Sequence, residues 1–185
     1  MESYGILDAM GLTSRIVLDA NIYTMNNRAE AFWMKKGILG DTVPLELNAK
    51  ELVHRNNKNS ELTVYGYTPM MVSVQCVQKT MDHCNHACVQ YVLKDRYQKE
   101  FRGVCSCEFC YNTIYNTLPT SLLKEKEKAE KLGVKAYRLS FTTETQQETE
   151  KIVRAFVDVY LRGQKPDGQM QTEETTKGHF QRGVE

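Results

Sequence analysis

The sequence predicts an α/β fold. Short apolar runs rich in β-branched residues alternate with segments of helical periodicity, and glycines punctuate the ends of both. One cysteine-dense stretch interrupts that alternation in mid-chain.

Arg15–Ile22 reads as a buried strand. Asn27 is placed to cap a helix over Arg28–Lys36, which Gly37 ends. Ala29, Phe32, Trp33 and Lys36 fall on one side of it, so the aromatics read as core. Thr42–Leu47 is the second strand, although Pro44 cannot donate to a central ladder. A short helix at Ala49–His54 follows. Glu61–Tyr65 is the third strand, ended by Gly66, and Met70–Val74 continues after a turn.

Cys76–Asn116 shows no clean periodicity and is too long for a passive loop, so it reads as a functional insertion. Tyr91–Arg96 forms a small strand within it. Pro119 and Gly133 bracket a helix over Ser121–Leu132, whose alternating lysines and glutamates make a solvated face. Val134–Phe141 is a strand. Thr145–Leu161 is a second strong helix with Ile152, Val153, Phe156, Val157 and Tyr160 as its buried stripe, and Gly163 ends it. Residues 164–176 read as a polar linker and 177–185 as an ordered tail. The expected organisation is therefore a partial α/β barrel over 1–163 with a cysteine-rich insertion at 76–116, then linker and tail.

This βα alternation implies a parallel sheet of four or five strands with helices over it. A closed eight-stranded barrel needs about 250 residues. The 185 residues here suit roughly half of one, or a small open α/β sheet.

Composition narrows the class. Charged residues make up 25%, apolar residues 41%, and the net charge is +1. These values exclude collagen-like, coiled-coil and globally disordered chains, and argue against a nucleic-acid binder that works by bulk positive charge. No apolar run approaches the roughly 20 residues that span a bilayer, so no membrane partner is expected. The first residues, Met-Glu-Ser-Tyr-Gly-Ile, lack the basic and apolar regions of a signal peptide, and the expected location is the cytoplasm.

All six cysteines lie between Cys76 and Cys110: Cys76, Cys84, Cys88, Cys105, Cys107 and Cys110. Cysteines kept for packing would be scattered. Disulfides suit small secreted chains. The remaining reason to crowd soft thiolates is a thiophilic metal, zinc or an iron–sulfur cluster. Cys84-x3-Cys88 with Cys107-x2-Cys110 suits a four-thiolate zinc site, with His83 and His86 as substitutes. That set leaves Cys76 and Cys105 without a role, and spacing alone leaves zinc and iron–sulfur evenly matched.

Several segments together resemble one family. Glu61-Leu-Thr-Val-Tyr-Gly-Tyr-Thr-Pro-Met-Met-Val-Ser-Val-Gln-Cys76 is similar to the signature of the collagenase-like peptidases (unassigned peptidase family 32), with Gly66, Ser73 and Cys76 at its fixed positions. Pro69 replaces its first cysteine and Val74 its second glycine. Asp82–Cys88, Leu93–Arg96, Cys107–Asn116 and Gly178–Val184 match further. Leu18–Asn26 and Val43–Asn48 look like successive late barrel strands of that family, with Glu46 where it often has an acidic residue.

The resemblance implies a TIM-like barrel, of which this chain is similar to the C-terminal half, carrying a 4Fe-4S cluster. It implies Cys76, Cys84, Cys88 and Cys110 as cluster ligands, with Cys107 a fifth thiol shared with part of the family and Cys105 extra. It also implies one of two activities. The family name points to a collagenase-like protease. Better-understood relatives point to oxygen-independent hydroxylation of a ribosomal or transfer RNA pyrimidine, or of a ubiquinone precursor. A third reading is a non-catalytic fragment or binding module with a structural metal site, completed by an N-terminal barrel half as partner.

Bottom-up support for hydrolysis is weak. The chain has no His-Glu-x-x-His helix and no Gly-x-Ser-x-Gly elbow, and neither Ser73 nor Ser106 has an obvious base. His83 and His86 read as hydrogen-bond donors beside ligand thiolates. Asn21, Asn26, Glu46 and Asn48 at strand C-termini are candidate substrate contacts, weighed against turn or helix-cap roles. Arg138 is a candidate for an anionic group, weighed against an ion pair. Tyr111 and Tyr115 are candidates for base stacking, weighed against core packing.

Overall fold

A computed structural model describes residues 2–82, 84–166 and 174–183. His83, the middle of the expected linker and the end of the tail therefore lie outside the described residues. The chain divides into two units. The first comprises Met1–Val64, Leu122–Leu139 and Lys177–Glu185, and the second Tyr65–Ser121 and Ser140–Thr176.

The first unit opens with helix α1 (Glu2–Ala9), which composition and spacing did not reveal. Its Tyr4 ring meets Trp33 edge-on, 5.2 Å between centroids, and packs on a core of Leu18, Trp33 and Ile38. Strand β1 is only Val17–Leu18. The longer predicted strand stops there because Asp19 caps a 3-10 turn over Ala20–Ile22, and Tyr23 then enters the left-handed region at φ 55°.

Helix α2 (Asn27–Lys35) is capped by Asn26, not Asn27: its side chain accepts from the Arg28 and Ala29 amides, both at 3.0 Å. Trp33 is buried, whereas Phe32 faces outward with the Lys36 ammonium over its ring. Only one of the two aromatics is core.

Strand β2 is Gly40–Thr42, shifted towards the N-terminus of the predicted strand. One more ladder bond forms, Val43 N–H to Glu61 O at 2.8 Å; Pro44, with no N–H, comes next. Asn48 caps helix α3 (Ala49–Val53) in a reciprocal capping box with Glu51. Strand β3 (Ser60–Gly66) follows. β1, β2 and β3 run parallel, with Val17 opposite Gly40 and Asp41 opposite Ser60. The parallel sheet expected from the βα alternation is thus present.

The second unit holds the largest departure from expectation. The cysteine stretch, which shows no clean periodicity in sequence, builds most of a four-stranded antiparallel sheet that includes the expected strand near Tyr91–Arg96. Its strands are β4 (Pro69–Ser73), β5 (Gln90–Lys94), β6 (Glu100–Ser106) and β7 (Tyr111–Tyr115), in the order β4-β7-β6-β5. A short helix, α4 (Val77–Thr80), follows β4. β8 (Thr120–Ser121) pairs antiparallel with Tyr65 and Gly66 at the end of β3. Gly66 is required there: a Cβ on it would lie 2.7 Å from the Ser140 carbonyl oxygen.

Back in the first unit, the predicted helix over 121–132 is split. A 3-10 turn at Leu123–Glu125, with Leu122 and Leu123 buried, precedes α5 (Lys126–Lys131). β9 (Ala136–Ser140) pairs with β3. In the second unit, α6 (Gln146–Phe156) starts from a Thr145–Glu148 capping box and ends in a π-helical turn over Val157–Leu161. Its Phe156 ring joins Tyr65, Phe141 and Tyr160 in an aromatic cluster. No described helix is long and apolar enough to cross a membrane.

The first unit encloses a charged network that no motif announced. Asp41 and Arg55, 3% and 6% exposed, form an ion pair. Asp41 also accepts from the hydroxyls of Thr24 and Ser60, the latter at 2.6 Å. The Arg55 guanidinium donates to Thr24 O at 2.8 Å and to Asn57 Oδ1 and Ser60 Oγ, both at 2.9 Å. Removing one member of such a pair leaves the other charge buried and alone. Arg55→Met is expected to cost about 3–5 kcal/mol, read from the urea unfolding midpoint.

Glu125 gives a pH-dependent counterpart. Burial alone would raise its carboxyl, but hydrogen bonds from Lys128 and Lys177 outweigh burial and hold it below the usual carboxylate value. A depressed carboxylate stabilises the fold above its unfolded value, about 4.3, and that stability is lost as pH falls through the lower folded value. Glu125→Gln should therefore destabilise the chain at neutral pH and flatten the acid limb of its stability–pH curve, as measured by urea unfolding.

Candidate functional site

Period-two alternation along β6 and β7 turns Gly103 and Cys105 to one buried face, and Asn112 and Ile114 to the same face. Antiparallel register sets Cys105 opposite Asn112 and Gly103 opposite Ile114. On the other side of Gly103 lies its β5 partner, Tyr91, whose ring crosses directly over it. A Cβ at position 103 would sit 2.3 Å from that ring. Only glycine leaves room for the ring to reach Asn112.

Asn112 organises what lies beneath. It is 1% exposed. Its Oδ1 accepts from the Cys105 thiol at 3.0 Å and from the Tyr91 hydroxyl at 3.3 Å. Its Nδ2 donates to the Gln75 carbonyl at 2.8 Å. That bond anchors the residue just before Cys76, which begins α4. The Thr80 amide and hydroxyl both donate to the Cys76 carbonyl at 3.0 Å. Cys76 Sγ then lies 3.4 Å from Cys105 Sγ.

The two sulfurs differ in character. The Lys79 amide, and then the Cys105 thiol, hold Cys76 below the ordinary thiol value. Burial, then the adjacent Cys76, push Cys105 up to about 11. Of the two, Cys76 is the more readily ionised, and Cys105 keeps its proton between Asn112 and Cys76. Burial, and then Cys105 and Cys76, also raise the Tyr91 phenol.

Cys107 extends the group. Its thiol donates to the Ala87 carbonyl at 2.8 Å, so the segment carrying Cys84 and Cys88 is held against the β6–β7 turn. Burial raises the Cys107 thiol, followed by the nearby sulfurs of Cys84, Cys76 and Cys88. Five thiols from three segments therefore feel one another electrostatically. Cys84 and Cys88 are exposed. Cys110 is also exposed. Its backbone is left-handed at φ 52°, and its sulfur turns back to the Cys107 carbonyl at 3.7 Å.

The donor set is soft and suits a thiophilic metal. Among the described residues, however, no three Cys, His, Asp or Glu side chains converge closely enough to hold one ion. Cys105, read from sequence as an extra thiol, is the one most firmly built into the group. Its signal was the position two residues after a strand glycine, on the same face. His86 lies between Cys84 and Cys88 with φ 56°.

The other candidates lie in the first unit. Asn21 donates to Asp19 Oδ2 at 2.9 Å, while Asn26 and Asn48 cap α2 and α3. Glu46 is half-buried in the turn after β2. Arg138 pairs with Glu61 at 3.2 Å and Asp19 at 3.7 Å, and donates to Thr42 Oγ1 at 3.3 Å. In the second unit, Tyr111 stacks on Phe109 at 6.4 Å and Tyr115 is half-buried.

Comparison with known proteins adds no neighbour: no protein-family model, curated protein or solved structure matches the chain.

Asn112→Ala strips the acceptor from Cys105 and Tyr91 together. The expected loss is about 1–3 kcal/mol. Alkylation of Cys105 should accelerate in parallel, measured by timed iodoacetamide labelling and peptide mass spectrometry.

Proposed function

We propose that this chain is the cluster-bearing, C-terminal portion of a protein of the collagenase-like peptidase family, with a 4Fe-4S cluster that supports oxygen-independent hydroxylation of an RNA pyrimidine. In that reading the parallel β1-β2-β3 sheet is part of a TIM-like half-barrel completed by an N-terminal half. The observation that carries the reading is that three cysteine-bearing segments meet here: Cys76 Sγ lies 3.4 Å from Cys105 Sγ, and the Cys107 thiol donates to the carbonyl of Ala87, between Cys84 and Cys88. Soft sulfur donors in that number are the donor set an iron–sulfur cluster uses.

The residues have distinct roles in this reading. Cys76 supplies a thiol held below the ordinary value by the Lys79 amide and then by the Cys105 thiol. Asn112 and Tyr91 hold Cys105 in place. Cys84, Cys88 and Cys110 are the further ligands in this reading, with Cys107 a fifth thiol beside them. A bound cluster supplies one-electron chemistry. A protease is the less favoured reading, because Ser73 Oγ is engaged by the Gln75 amide at 3.1 Å in a local turn contact.

Anaerobic purification with iron and sulfide analysis tests the proposal. The expected result is brown protein with about four irons per chain. Cys76→Ala and Cys84→Ala should each lose most of that iron while the far-UV spectrum is retained. Stoichiometric zinc with no iron would overturn it.

A further inference from the structure

The Cys76–Cys105 contact does more than contribute two ligand candidates. We infer that Cys76 and Cys105 form a reversible dithiol–disulfide pair, oxidised by a small hydroperoxide and distinct from the other four thiols.

Three observations carry this. The two sulfurs lie 3.4 Å apart, so closing to a bond of about 2.05 Å needs only small side-chain rotations. Both partners are held at rigid positions. Cys105 lies within β6, opposite Asn112, and Cys76 follows a carbonyl bonded to that same asparagine. The pair is also asymmetric in access: Cys76 is 7% exposed at a loop–helix junction and Cys105 is 1% exposed inside the sheet. Cys76 is therefore the sulfur a small oxidant reaches, and Cys105 the one that resolves it. Among the remaining cysteines, Cys107 and Cys110 hydrogen-bond to backbone carbonyls, and Cys107 also meets the Cys105 thiol.

The chemistry balances with a hydroperoxide as oxidant. The Cys76 sulfur attacks the peroxide; an S–O bond forms and the O–O bond breaks. With hydrogen peroxide, one water leaves carrying the Cys76 proton, and Cys76 becomes a sulfenic acid. The Cys105 sulfur then attacks the Cys76 sulfur. An S–S bond forms, the S–O bond breaks, and the departing hydroxide takes the Cys105 proton as a second water. The two thiols lose two electrons, and one peroxide becomes two waters. A dithiol reductant reverses the step by thiol–disulfide exchange.

The inference uses thiols of the proposed cluster site but does not require the cluster. Oxidation would withdraw Cys76 from metal binding, so the pair acts as a redox gate on that site.

The test uses the full chain, as purified and after chelation, exposed to one equivalent of hydrogen peroxide. Free thiols are then alkylated and tryptic peptides mapped by mass spectrometry. The chelated chain is expected to lose two of its six free thiols and to yield a Cys76–Cys105 cross-link that dithiothreitol removes. Cys105→Ser should abolish the cross-link and leave a dimedone-reactive Cys76, whereas Cys84→Ser should keep it. Cross-links confined to Cys84–Cys88 or Cys107–Cys110, or no cross-link in the chelated wild-type chain, would overturn the inference. Metal analysis of the same samples separates the two readings. Iron without this cross-link sinks the dithiol pair alone, and the cross-link in a chain that never carries iron sinks the cluster alone.

Discussion

Arg55 brings a permanent charge to a place that water hardly reaches, and the first unit is arranged around answering it. Asp41 on β2 supplies the counter-charge. Thr24, in the lead-in to α2, offers both its carbonyl and its hydroxyl. Asn57, between α3 and β3, and Ser60, the first residue of β3, accept further guanidinium protons. An isolated buried charge is prohibitively unfavourable, whereas a fully bonded one specifies where each partner must stand. The register of β2 against β3 is set partly by this need, since Asp41 and Ser60 are opposite one another in the parallel ladder and joined through their side chains. Asn57 extends the same network to the Leu52 and Leu132 carbonyls, linking the ends of α3 and α5 to it.

The second unit solves a similar problem with neutral groups. Its antiparallel sheet turns glycine, cysteine and asparagine inward where most sheets place large apolar side chains. Asn112 compensates by using its amide fully: two donors converge on its oxygen, and its nitrogen closes on Gln75. Gly103 gives up side-chain packing so that the Tyr91 ring can fill the space. The thiols inherit their positions from this arrangement. Cys105 is placed by a strand, Cys76 by the start of a helix, and Cys107 by a turn braced on Ala87.

Much of the chain was legible in sequence because local rules and tertiary structure agree there. α3, β3 and α6 fall close to where periodicity, capping residues and terminating glycines place them. The failures have specific causes. β1 and β2 are short because side-chain capping at Asp19 and the missing donor of Pro44 end them early. In the antiparallel sheet, β4 and β5 lie where Met70–Val74 and Tyr91–Arg96 read as strands, but β6 and β7 were missed because their inward pattern is written in small and polar residues that a hydrophobicity alternation does not mark. α1 packs through Tyr4 on the core of Leu18, Trp33 and Ile38, a tertiary contact that no local signal reveals.

By itself the sequence determined the α/β character, the parallel pairing implied by βα alternation, and the crowding of every cysteine into one stretch. Those follow from periodicity and spacing, which are local properties of the chain. Only the tertiary structure decided which thiols meet. Cys76 and Cys105 are far apart in sequence, yet β-register and one asparagine bring their sulfurs to 3.4 Å. Cys110, one of the four ligands the resemblance implies, is itself left-handed at φ 52°, exposed, and turned back on the Cys107 carbonyl. Register and turn handedness are set by pairing across strands, and no spacing rule along a single strand contains them.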